Sequence, residues 1–214
     1  CILKKPKTLI VFDSMPTTLN PLYAKSAQDL RVQELVYERV FYSLPSAPDI
    51  QTDLVKEVSH RAERRGEMVQ TSLVLAMRSD RRWADGTPVS PADLCFTVNA
   101  ILNPENPVPW AAAHREMLTG CDVKEDLAHV HFRRQAVEPK QWLMVPLLPA
   151  HRFKSTMISP DHPSTIKAIG TRNTKARLLD DRVTVANIKK RAAPYIKRLE
   201  VHPLQSVDAA LEQL

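Results

Sequence analysis

The stretch Trp83-Ala-Asp-Gly-Thr-Pro-Val-Ser-Pro-Ala-Asp-Leu-Cys-Phe-Thr-Val98 carries the most information in the chain. Asp85-Gly86 is a tight-turn dipeptide, because glycine takes the positive φ that such turns require. Four residues after Gly86, Ser90 has the short polar side chain of a helix N-cap. Pro91 then fits the first helical position, and Asp93 completes a capping box three residues after Ser90. Leu94, Val98 and Ile101 recur at helical spacing, with Cys95 and Leu102 beside them, and Asn103-Pro104 ends the run. The stretch predicts a turn that launches a capped helix with one apolar face. Trp83 beside the turn reads as a packing residue in preference to a ligand-stacking one.

Upstream of it, Thr8–Phe12 is a short β-branched and aromatic run and reads as a strand. Met15–Pro21 follows as an ordered loop with two prolines. Ala27–Tyr42 shows helical periodicity through Leu30, Leu35, Val36, Val40 and Phe41, with Ser26 or Asp29 able to cap its start. Leu44–Asp53, with Pro45 and Pro48, reads as a crossing segment and the best first domain boundary. Val55–Arg78 is extended, with a hairpin loop over Arg61–Gly66.

Downstream, Val108–Leu118 reads as a second helix. Cys121–Lys124 and Ala128–Arg133 form a strand pair around the charged turn Lys124-Glu-Asp126. Ala136–Val145 is a further helix despite Pro139, and 154–174 is loop-like. Lys175–Leu179 and Arg182–Ala186 make a hairpin around Asp180-Asp181. Tyr195–Val201 is a last strand, and Ser206–Leu214 starts a helix. Strands, hairpins and scattered helices predict an α+β fold with mixed sheets and flanking helices.

Composition narrows the function classes. The 214 residues hold only four glycines, at 66, 86, 120 and 170, against seventeen prolines. Phosphate-cradling loops need clustered glycines, so a dinucleotide fingerprint and a P-loop are both absent. A hydrophobic fraction of 43% fits a globular protein, and no apolar run reaches the ~18 residues of a membrane-spanning helix. Net charge is +6, much of it in Arg61–Arg65 and Arg78–Trp83, and both clusters are interrupted by acids. Without zinc-finger spacing or an aromatic RNA-binding box they read as solvated loops, not as a nucleic-acid site.

The residue types that carry chemistry are sparse. There is no Gly-x-Ser-x-Gly elbow and no His-Glu-x-x-His. His129 and His131 share one face of a predicted strand, a weak metal pair with no third ligand at obvious spacing. Asp180-Asp181 and Glu125-Asp126 sit at turn tips, where acids serve solubility. The three cysteines form no Cys-x-x-Cys; Cys95 and Cys121 read as two separate buried thiols more readily than as a disulfide of an oxidising compartment. Cys1 is either the acylated first residue of a mature bacterial lipoprotein or an arbitrary boundary.

The ordered set of motifs resembles the family 5 extracellular solute-binding proteins, the peptide and nickel receptors of bacterial ABC importers. The tryptophan stretch carries the resemblance. Met77-Arg78 precedes it much as the family's Leu-Arg does, although Ser79 or Asp80 stands where glycine is usual. Thr17-Thr-Leu-Asn-Pro21 is similar to the family's opening loop, Val36–Phe41 to its first helix, and Leu147-Leu-Pro-Ala-His151 to its leucine-proline-lysine-histidine motif. Gly170-Thr-Arg-Asn-Thr174 departs from the usual Gly-Thr-Gly-Pro-Tyr.

The resemblance implies a partial type II periplasmic-binding-protein-like fold, the N-terminal portion of a longer receptor. Residues 1–45 and 166–214 would belong to a ligand-side lobe, the latter as a truncated return segment, and 46–165 to a smaller inserted lobe. It implies solute capture, most readily of peptides, by hinge closure and delivery to a membrane permease, in the periplasm or outside the cell. Thr17 and Thr18 are its ligand-binding residues, and Cys1 its lipidation site and peripheral membrane anchor. No catalytic residue, metal, cofactor or nucleic-acid partner is expected. With part of the cleft absent, the chain alone would bind peptide weakly. The alternative is a truncated receptor paralogue that binds a protein partner without transport.

Overall fold

The computed structural model describes residues 8–65, 68–171, 174–187 and 197–204. Its elements form two main sheets. β1 (Thr8–Asp13) lies parallel to β11 (Arg198–Pro203), pairing Thr8 with Arg198 and Asp13 with Pro203. β10 (Val183–Asn187), β9 (Thr174–Leu178) and β8 (Lys167–Ile169) follow antiparallel, giving the order β1-β11-β10-β9-β8. A parallel pair needs a long crossover, and here almost everything between Ser14 and Lys197 provides it. Of the strand predicted over Tyr195–Val201, Arg198–Val201 lies in β11, and Tyr195 and Ile196 lie outside the described residues.

The second sheet is wholly antiparallel. β4 (Val55–Arg65) and β5 (Met68–Met77) form a long hairpin, β6 (Leu118–Lys124) and β7 (Leu127–Phe132) a shorter one, in the order β4-β5-β7-β6. Alternation sends Leu73, Leu75, Ala128, Val130 and Phe132 into the core. α2 (Pro91–Leu102) packs along β6 and β7, and it begins and ends as the sequence predicts, with Ser90 as N-cap, Pro91 at N1 and Asn103 closing it. Leu94, Val98 and Ile101 are fully buried on its inner face.

Several expectations are corrected. The helix predicted over Ala27–Tyr42 stops early: α1 is Ala27–Glu34. Beyond it the backbone pairs with a distant segment. Val40 N donates to Val145 O (2.9 Å), Phe41 N to Leu143 O (3.2 Å) and Leu147 N to Glu38 O (2.9 Å). Val36, Val40 and Phe41 are buried by this crosspiece instead of by a helix, whereas Leu30 and Leu35 are 46% and 44% exposed. The proline-bearing stretch Leu44–Asp53 is not a plain crossing segment. It folds as the hairpin β2 (Tyr42–Leu44) and β3 (Ala47–Gln51), turning at Pro45-Ser46.

The basic run Arg61–Arg65 lies on β4, not in a loop, because the β4–β5 register continues unbroken from Arg61↔Ser72 to Arg65↔Met68. The second helix is reduced to α3 (Ala112–Met117), since Leu118 already belongs to β6. Pro139 limits the next predicted helix to a 3-10 turn, Pro139–Leu143. Within the predicted loop 154–174, His162 caps a short α4 (Pro163–Ile166), its Nδ1 accepting from Ser164 N at 3.1 Å, and β8 follows directly.

Cys95 and Cys121 are not separate thiols. They form a disulfide with Cα atoms 4.7 Å apart, tying α2 to β6. The spacing of 26 residues carries no signal for it. The approach comes from α2 crossing β6, where Asn99 also grips the Cys121 backbone: Asn99 Nδ2 donates to Cys121 O (2.9 Å), and Cys121 N donates to Asn99 Oδ1 (3.0 Å). Cys1, the Arg172-Asn173 departure and the predicted helix over Ser206–Leu214 lie outside the described residues.

Candidate functional site

The tryptophan stretch and the Leu147–His151 motif, far apart in sequence, meet at one buried carboxylate. Asp93 Oδ2 accepts from Trp83 Nε1 (3.1 Å) and Ser90 N (2.8 Å), and Oδ1 accepts from Ala150 N (2.8 Å). One helical turn later Thr97 Oγ1 donates to Asp93 O (2.8 Å) and accepts from Leu148 N (2.9 Å). Asp85 reaches the same segment, 2.8 Å from His151 Nε2. Burial pushes the Asp85 carboxyl up, but hydrogen bonds from His151 and Thr87 outweigh it and hold it below its usual value. Trp83 is 1% exposed, so its ring packs and meets no ligand. Gly86 takes φ +95°, the turn conformation expected of it.

The opening loop is organised by a second buried carboxylate. Asp29 Oδ1 accepts from Thr17 N (2.6 Å), Thr17 Oγ1 (3.1 Å) and Thr18 N (3.3 Å), and Oδ2 from Lys25 N and Ser26 N (3.0 Å each). Asp29 N donates in turn to Ser26 Oγ (3.1 Å), closing a capping box. Burial raises the Asp29 pKa, and the bonds from Lys25, Ser26 and Thr17 more than reverse this. Thr18 is buried, its hydroxyl donating to Pro160 O (2.9 Å) and accepting from Asn20 N (2.9 Å). Thr17 is exposed. The structure thus separates the two predicted ligand residues: one hydroxyl holds the loop together, and the other lies at the surface on Asp29.

A third carboxylate, Glu38, joins three segments. Arg81 Nη2 bonds Oε1 at 2.6 Å and also reaches Oε2, and Thr171 Oγ1 donates to Oε2. Nearby, Ala84 N donates to Gly170 O (2.9 Å). The Arg81–Glu38 pair is almost fully buried on the glutamate side.

Beside these supports a cavity of about 240 Å³ opens between α1 and the segments around Trp110 and Met144. Gln33 and Tyr37 form its α1 side; Trp110, His114, Met144 and Pro146 form the other. A shallower depression of about 200 Å³ continues past Glu34 and Arg39 toward Tyr42. Gln33 connects cavity and opening loop, donating from Nε2 to Thr18 O (3.1 Å) and Asn20 O (3.3 Å). The indole of Trp110 meets the His114 ring edge-on (5.2 Å), and His114 meets Trp142 the same way (5.7 Å). Sequence reasoning missed these residues, since Gln33 and Tyr37 sit within a run read only for its apolar stripe. The Ser26–Asp29 capping spacing was the one legible signal of how α1 is placed.

The two histidines weighed as a metal pair are differently engaged. His131 lies between Ser72 Oγ (3.1 Å from Nδ1) and the Asp122 carboxylate on Nε2. Among the described residues no group of three His, Cys, Asp or Glu side chains is placed to hold a metal ion, and no helix is long and apolar enough to cross a membrane.

No family model matches the chain, and no curated protein sequence does. Solved structures do. The oligopeptide-binding protein AppA of Bacillus subtilis, solved with a nonapeptide, superposes with TM-score 0.73 at 17% identity, over 97% of this chain and 42% of its own. NikZ of Campylobacter jejuni, in complex with Ni(L-His), gives 0.69 at 19%, and AgaA of A. tumefaciens, in complex with agropinic acid, 0.72 at 15%. The chain spans about 42% of the length of such proteins. The mixed α+β architecture is thus the fold of part of a periplasmic binding protein.

Proposed function

We propose that this chain captures a solute in the groove between α1 and the Trp110–Pro146 segments, as part of the substrate-binding component of an ABC importer. The observation that carries this reading is the superposition of nearly the whole chain on binding proteins at a TM-score of 0.73, with a cavity against the opening loop. Peptides are the proposed solutes. Exposed Thr17 and the adjoining main chain offer hydrogen bonds to an extended backbone, while Thr18 shapes the loop from within. In this reading residues 1–45 and 166–214 form the ligand-side lobe and 46–165 the inserted one. Closure on ligand is favoured by contacts made only in the closed state, and a permease receives the closed form. No step of this requires a catalytic group.

An extracytoplasmic location agrees with the Cys95–Cys121 disulfide, since such bonds persist in oxidising compartments. Because the chain covers only 42% of AppA, it is expected to hold peptide weakly by itself. Native mass spectrometry of the chain with a tripeptide pool tests the reading. Peptide-bound species that disappear in a Met144→Trp variant, which fills the cavity, support it; peptide-bound species equally abundant in that variant contradict it.

A further inference from the structure

The interior of the groove has a definite chemistry. Its volume, about 240 Å³, falls below the ~300–1,000 Å³ of drug-sized pockets, so it suits one ring or one side chain. Trp110, His114 and Tyr37 supply aromatic faces and edges, and Met144 a polarisable thioether; both favour an aromatic guest. The charged residues at the rim, Glu34 and Arg39, pair with each other at 3.3 Å. Burial pushes the His114 imidazole below its usual pKa, which favours its neutral form. The lining therefore presents no unpaired charge to a guest.

Three lining residues keep hydrogen-bonding capacity in reserve: Gln33, Tyr37 and His114, whose buried Nδ1 has no hydrogen-bond partner among the described residues. Gln33, 3% exposed, uses its Nε2 on Thr18 and Asn20, and its Oε1 has no partner among the described residues. Tyr37, 5% exposed, makes no hydrogen bond through its hydroxyl with any described residue. Neither of these two oxygens is sealed from the groove, so a guest hydroxyl can meet both: it donates to an amide oxygen and accepts from a phenol.

From this we infer that the groove selects a neutral aromatic side chain carrying a hydroxyl, a phenol-type group, over bare aromatic, aliphatic or charged ones. The inference rests on the solute-binding reading of the same groove.

The test is nuclear magnetic resonance mapping of the full chain with N-acetyl amides of tyrosine, phenylalanine, leucine and lysine at millimolar concentration, beside a mixed tripeptide pool. The tyrosine amide should shift Gln33, Trp110 and Met144 signals and bind about tenfold more tightly than the other three, the scale of one unmet buried hydrogen bond. In Tyr37→Phe its advantage over the phenylalanine amide should shrink to within about twofold. Equal or better binding of any other amide, or a preference untouched by Tyr37→Phe, overturns the inference while leaving solute capture in place. A groove that answers the tripeptide pool but none of the amides does the same. Silence toward the pool as well would overturn both.

Discussion

The indole Nε1 of Trp83 donates to the buried carboxylate of Asp93 at 3.1 Å, across a ten-residue span that holds a turn and a helix start. The same carboxylate caps α2 through Ser90 N and anchors Ala150 N. One side chain therefore fixes the turn, the helix and a remote segment at once. Asp93→Ala would leave the buried Trp83 indole N–H and the part-buried N–H groups of Ser90 and Ala150 without their acceptor. At ~1–3 kcal/mol for each unsatisfied group, less what relaxation recovers, a loss of about 3 kcal/mol is expected in urea denaturation. An unchanged midpoint would show that the hub is dispensable.

Two glycines should behave differently for different reasons. Gly86 has φ +95° with open space around its missing Cβ, so Gly86→Ala carries a conformational cost of about 1 kcal/mol. Gly170 has an ordinary φ, but a Cβ there would lie 1.7 Å from Val36 O. The crosspiece must move, and Gly170→Ala should be the more damaging of the two by thermal melting.

The β6–β7 turn runs through Glu125 and Asp126 with φ of 51° and 59°. Two consecutive positive values make a type I′ hairpin turn, which Asn-Gly satisfies best. Replacing Glu125-Asp126 by Asn-Gly should raise stability by about 1 kcal/mol without altering the register of Lys124 and Leu127.

Acid should unfold the protein through carboxylates that accept several hydrogen bonds in the fold. Asp29 and Asp85 both have folded pKa values below the ordinary 3.8. A depressed folded pKa adds stability that is complete above the unfolded value and is lost as pH falls through the folded one. Urea midpoints should therefore begin to fall below about pH 6.5, where the unfolded chain protonates His114 ahead of the folded one, and fall again below about pH 4 as the carboxylates protonate. In Asp29→Asn the fall should be shallower. An identical acid limb in that variant would remove Asp29 from the account.

Reduction of Cys95–Cys121 should destabilise by about 3.5 kcal/mol on the chain-entropy model for a loop of this size. The Cys95→Ala/Cys121→Ala double variant should match the reduced protein in guanidinium unfolding.

Local signals read well wherever a side chain determines its own neighbourhood. Ser90, Pro91 and Asp93 announced α2, and the β-branched run announced β1, because caps and strand propensity act within a few residues. Readings failed where a distant partner decides. Residues 38–41 have helical spacing, yet the backbone groups of Leu143, Val145 and Leu147 draw them into a crosspiece. Cys95 meets Cys121 only because α2 crosses β6. The groove was the least legible feature, since Gln33, Trp110 and Met144 converge from three segments and none belongs to a motif.

The central claim is that the groove beside α1 receives a solute. Its most direct measurement is the chemical-shift map of the chain titrated with the tripeptide pool. The account predicts saturable shifts confined to Gln33, Tyr37, Trp110, His114 and Met144. Shifts confined to other surfaces, or none at millimolar peptide, would contradict it.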